Sequence, residues 1–192
     1  VIIVLGEAIV GVINGVANVD VLTVSAGVTG VLGMALIFGL WWVYFDFIGR
    51  REGARRGIWY ALIWGYTHAP LVVGIAAVSA GIQNVLAHPI GELQPGVRLL
   101  TAGAVAAALA SMALIELVSR REPDEPTGER LSPLMKTIAA VVCLVIGLFG
   151  GGMSSTLLLL TLIVLVATQV VYAAYVWFAQ VIPEDHPAAH RR

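Results

Sequence analysis

The chain has 192 residues, of which 59% are hydrophobic and 12% charged, with a formal net charge of −1. Soluble domains carry about 25% charged residues, so there is too little polar surface here to coat a globule in water, and no basic field for nucleic acid. The remaining solvent is lipid, in which apolar side chains face outward, and a mean hydropathy of +0.91 agrees with it.

A spanning helix needs about 20 mostly apolar residues at 1.5 Å each, and six stretches reach or approach that length. The first runs from Val1 to about Ala17. It opens inside an apolar run, without Met or a charged leader, and reads as a fragment whose N-terminal helices are missing. The second runs from about Thr23 to Ile48, the third from about Gly57 to Leu86 and the fourth from about Val97 to Ser119. The fifth runs from about Leu134 to Gly150 and the sixth from about Ser154 to Ile182. Runs this long are helices, not strands. The connections are short and carry Pro, Gly and Asn breakers, so the expected fold class is all-α: one polytopic transmembrane bundle of about six spans over 1–182, with a tail at 183–192. The fourth span is rich in Ala, Gly and Ser, which permits close backbone approach and predicts a central position.

Arginines set the orientation. Arg50, Arg51, Arg55 and Arg56 lie in one loop, Arg120, Arg121, Arg130 and Lys136 in another, and Arg191 and Arg192 in the tail. With six spans these segments share one side, and only Arg98 is opposite. The positive-inside rule makes that side cytoplasmic, so loops 49–56 and 120–133 and the tail are expected to face the cytoplasm. Trp41, Trp42, Tyr44, Trp59, Tyr60, Tyr175 and Trp177 form an aromatic belt at the same level. The loop from Arg120 to Arg130 reads as a solvated connector.

Ionisable residues inside spans are the informative ones, because each is expensive against lipid. Asp46 is accounted for by Arg50 and Glu116 by Arg120, each four residues on along its own helix. Glu7 and His68 have no such neighbour. Counted along their helices, Glu7 is about 15 Å and His68 about 16 Å deep, from opposite sides. Both therefore fall near the midplane of a core about 30 Å thick. A Glu beside a His at one depth suits a proton relay or a cation site; the same pair also suits interhelical hydrogen bonding alone. Gly11, Asn14 and Asn18 continue the Glu7 face at helical spacing, and Pro70 frees the carbonyl of Tyr66. Gln169 and Tyr172 in the sixth span offer a further polar lining or, more simply, bonds between helices. Cys143 reads as a buried inert thiol, and His186 and His190 lie in a Pro-containing tail ill suited to a metal. Phosphate-loop, His-Glu-x-x-His and Gly-x-Ser-x-Gly patterns are lacking, so no metal and no cofactor is called for and an enzyme is the less favoured class.

Three motifs carry a resemblance. Ile2-Ile3-Val4-Leu5-Gly6-Glu7-Ala8-Ile9-Val10, Trp41-Trp42-Val43-Tyr44-Phe45-Asp46 and Tyr66-Thr67-His68-Ala69-Pro70-Leu71 occur in that order. Together they resemble the bacterial low temperature requirement protein A family over the first half of the chain. The resemblance implies a bacterial integral membrane protein, linked by its family name to growth in the cold, with further helices before Glu7 and with Glu7, Asp46 and His68 as a polar signature. It supplies no substrate or reaction.

The leading functional expectation is translocation of a small solute, ion or proton through a polar centre at Glu7 and His68, with Asn14, Tyr66 and Pro70 around it and Asp46 at its inner mouth. Glu116, Gln169 and Tyr172 are secondary members of this set. An intramembrane enzyme acting on lipid, and a membrane scaffold or stress sensor, are the alternatives. The expected partners are membrane lipids, the missing helices of the same protein and a further copy of the chain.

Overall fold

The computed structural model describes residues 1–18, 23–51, 53–87, 92–121, 125 and 127–181, the side chains of 180 and 181 excepted. The tail expected at 183–192, with His186 and His190, and the turn at Val19-Asp20 lie outside them. Six helices follow one another: α1 (Ile2–Ala17), α2 (Val24–Phe47), α3 (Ile58–Ala87), α4 (Pro95–Val118), α5 (Leu131–Phe149) and α6 (Ser155–Val181). Among the described residues there is no strand, only two isolated bridges. The five helices from α2 to α6 are long and apolar enough to cross a membrane, and α1, with 16 residues, is shorter.

Local signals place the helix ends. Thr23 Oγ1 accepts from the Ala26 N–H, 3.2 Å away, and caps α2. Pro95 opens α4, where its missing N–H has no role to fill. The start of α5 differs most from expectation. It begins at Leu131, because Pro133 falls in the first turn, where proline is tolerated.

As the small residues of 102–113 predict, α4 is the most enclosed of the long helices. It packs along α3 on one side and α5 on the other, while α1 lies on α2 and α3, and α6 on α2. The α3–α4 seam depends on glycine. A Cβ on Gly74 would stand 3.1 Å from the Ala108 nitrogen, and one on Gly81 would stand 3.0 Å from the Thr101 Cα. Large apolar side chains on the outer faces, among them Ile3, Val31, Val73, Phe149 and Phe178, are exposed, as lipid-facing positions are.

The loops pair at the two ends of the bundle. Arg55 N–H donates to Val118 O (2.9 Å) and Arg120 N–H to Gly53 O (2.7 Å), which fastens the α2–α3 connection to the end of α4. At the opposite end Leu93 N–H donates to Met153 O (3.2 Å). The two arginine-rich loops therefore share one end.

Candidate functional site

The largest concentration of buried charge lies at the arginine-rich end. Lys136, in the second turn of α5, is fully buried, and Glu116 on α4 has a side chain only 2% exposed. Lys136 Nζ donates to Glu116 Oε2 and to Ser132 Oγ, both at 2.8 Å, and stands 3.4 Å above the centre of the Phe47 ring. Arg51 enters from the α2–α3 connection and completes the cluster. Its Nη1 donates to Glu116 O (2.6 Å), and its Nη2 to Glu116 Oε1 (3.0 Å) and Glu125 Oε1 (2.5 Å). The Arg51 contact with a terminal carbonyl of α4 puts a cation at the negative end of that helix. Two cations and two anions thus neutralise one another where each alone would be costly.

Two expectations are corrected by this cluster. Glu116 pairs with Lys136 and Arg51 rather than with Arg120, whose side chain is exposed. The 120–130 connector is not simply solvated either. Glu125 holds Arg51, Thr127 Oγ1 donates to Glu125 Oε1 (2.8 Å), and Arg121 Nη2 donates to the Glu125 and Thr127 carbonyls. Sequence reading counted Lys136 with the basic residues of the connector, although the fifth span was expected to start at about Leu134. Its helical face was nonetheless visible, since Ser132, Lys136, Ala140 and Cys143 recur at helical spacing and all four are buried. Nothing in the sequence sets Arg51 apart from its neighbouring arginines.

Glu7 and His68 occupy a different region. Ser79 Oγ donates to Ala8 O across 3.3 Å, and a Cβ on Gly11 would collide with Ser79 Oγ. These contacts fix the register of α1 against α3 and put the backbone of Glu7, next to Ala8, near the level of Ser79. His68 lies eleven residues before Ser79, about three turns and 16 Å down the same side of α3. The two groups share a side but not a level. The reason is the length of α3, whose 30 residues span about 45 Å. Counting inward from its first residue therefore overstates depth in the membrane.

Glu7 is exposed and has no hydrogen bond or ion pair among the described residues. His68 is half-buried, its ring 4.5 Å from that of Trp64 and its Nδ1 2.6 Å from Trp64 O. A carbonyl partner requires the proton on Nδ1, which leaves Nε2 of the neutral ring as an acceptor. Asn14 is exposed on the Glu7 face of α1, and Tyr66 is 75% exposed. Pro70 is accommodated inside an unbroken α3.

Other polar residues in the helices make separate contacts. Asp46 pairs with Arg50 at 3.3 Å, four residues on, as its spacing predicts. Tyr172 Oη accepts from the Gly128 N–H (2.9 Å), tying α6 to the α4–α5 connection. Gln169 is buried, and its Nε2 reaches Thr168 Oγ1 (3.3 Å) on its own helix rather than a neighbouring one. Its Oε1 has no hydrogen-bond partner among the described residues. Arg98, alone at the opposite end, is buried, with Nε donating to Gly147 O (3.1 Å) and Nη2 to Leu148 O (3.5 Å). It caps the C-terminus of α5, where a cation meets the negative end of the helix dipole.

Stacked apolar helices, outward-facing aliphatic side chains and buried charges that are ion-paired or cap a helix define a multi-pass α-helical membrane protein. Comparison with family models refines the class. The model of the bacterial low temperature requirement A protein (LtrA) matches residues 1–174, and the chain belongs to that family. No curated protein and no solved structure matches it.

Proposed function

We propose that the α1/α3 side of this protein lines a path by which a small solute or ion, with protons, crosses the membrane. One observation carries this reading. Of the ionisable side chains described within the helices, Asp46, Glu116 and Lys136 are ion-paired and Arg98 caps a helix, whereas Glu7 and His68 have no charged partner. An unpaired acid and an imidazole in apolar spans are costly unless something hydrated or charged meets them. Glu7 and His68 stand about 15 Å apart along one side by the helix rise, so they serve as successive stations for a hydrated ion or proton, not as a hydrogen-bonded pair. Asn14 and Gln83 add polar groups beyond Glu7 on the same side. The arginine-rich end is the cytoplasmic one in this reading, with the ionic cluster of Arg51, Glu116, Glu125 and Lys136 holding that end of the bundle together.

The test is flux in liposomes containing the purified protein and a pH-sensitive dye, under an imposed ion or pH gradient. The expected result is pH-dependent flux that falls at least tenfold in Glu7→Gln and in His68→Ala. Unchanged flux in both variants overturns the reading. Labelling of single cysteines placed at Arg55 and Arg130 in inside-out membrane vesicles tests the orientation; both are expected to react there and to be protected in intact cells.

A further inference from the structure

At the arginine-rich end of α2 a notch opens to the outside, lined by Trp41, Trp42, Phe45, Asp46, Gly49 and Arg50. It combines two ionic groups with three aromatic rings. The Asp46 side chain is 12% exposed and that of Arg50 is 60% exposed, with Nη2 of Arg50 3.3 Å from Asp46 Oδ1. Arg50 is steadied from α6, its guanidinium carbon lying 5.1 Å from the centre of the Trp177 ring. Trp41 packs on Phe45 with ring centres 5.2 Å apart. Trp41 and Trp42 remain 38% and 42% exposed.

The position selects the kind of occupant. The notch lies at the end of a spanning helix, among tryptophans that favour the headgroup layer, and faces away from the bundle. What meets it there is a phospholipid headgroup. We propose that the notch binds the headgroup of a zwitterionic aminophospholipid, phosphatidylethanolamine in its chemistry. The lipid phosphate bonds to the exposed side of the Arg50 guanidinium, which presents planar paired donors suited to it. The ammonium group lies against the Asp46 carboxylate and beside the exposed Trp42 ring, one turn before it on α2, where cation–π attraction adds to the ionic contact. The lipid dipole then runs antiparallel to the Asp46–Arg50 dipole. An anionic glycerol headgroup also offers a phosphate to Arg50. It brings no cation to Asp46, however, so the phosphate charge near that carboxylate is left without the compensating ammonium.

The experiment is native mass spectrometry of the detergent-solubilised protein titrated with phosphatidylethanolamine, phosphatidylglycerol or phosphatidylcholine of matched acyl chains. The unaltered protein is expected to retain phosphatidylethanolamine at least fivefold more strongly than phosphatidylglycerol. Asp46→Asn should remove that preference while leaving phosphatidylglycerol binding in place, and Arg50→Gln should weaken both. Quenching of tryptophan fluorescence by brominated lipid in vesicles gives the same comparison without any substitution. Equal retention of the two lipids by the unaltered protein, stronger binding of phosphatidylglycerol, or a preference that survives Asp46→Asn overturns the proposal. Phosphatidylcholine binding equal to that of phosphatidylethanolamine also overturns the ethanolamine assignment, since it would show that the rings alone select the cation. None of these outcomes depends on flux.

Discussion

The two polar regions of this protein treat charge in opposite ways. At the arginine-rich end Arg51, Glu116, Glu125 and Lys136 face one another, are largely withdrawn from solvent and sum to zero. Along the α1/α3 side Glu7 is exposed and His68 half-buried, and neither has an ionic partner. Burial with ionic partners serves architecture, because removing one member strands another in a low-dielectric interior. Polar groups left open on an apolar surface serve encounters with something else. The comparison therefore separates residues whose loss should be felt in stability from those whose loss should be felt in activity.

The largest effect should come from Glu116. Glu116→Gln removes the carboxylate charge that faces Lys136 and Arg51, leaving one amide oxygen between two cations, and should cost about 3–5 kcal/mol of stability, read from thermal unfolding in detergent. Adding Lys136→Met should recover at least half of that loss. A cost below about 1 kcal/mol for the single variant would erase the distinction between the two regions. Next in size is the α3–α4 seam. Gly81→Ala should lose about 1–3 kcal/mol by overpacking on Thr101, while Gly65→Ala, with open space around it, should be neutral or gain up to about 1 kcal/mol of helix propensity. Arg98→Ala should cost about 1–3 kcal/mol, as expected of charge-assisted hydrogen bonds to carbonyls. Smaller still is His68→Ala, which gives up the bond to Trp64 O and the contact with the Trp64 ring and should cost about 0.5–1.5 kcal/mol, and the smallest is Glu7→Gln, expected within about 0.5 kcal/mol of the unaltered protein. A large loss of stability in either would move it into the architectural class.

How much of this was legible in the sequence depended on whether a feature was local. Helix ends were within three residues of their expected positions because bilayer thickness, proline and glycine act along the chain. The Asp46–Arg50 pair was readable from its spacing, and the central place of α4 from its small side chains. Glu116–Lys136 and Arg51–Glu116 join residues 20 and 65 apart, and no periodicity says which helix will lie beside which. Lys136 fell inside the run expected for the fifth span, yet the orientation count grouped it with the connector's arginines, because run length does not say which face of a helix is buried. The relative level of Glu7 and His68 was missed for a related reason. Each depth was counted from its own helix end, whereas Ala8, Gly11 and Ser79 set the register between the helices.

Arg98 gives α4 and α5 a second attachment. Lys136 and Glu116 join the two helices near one membrane surface, and Arg98 joins them near the other by grasping the final carbonyls of α5. A pair riveted at both ends resists sliding and splaying alike and moves as one stiff strut.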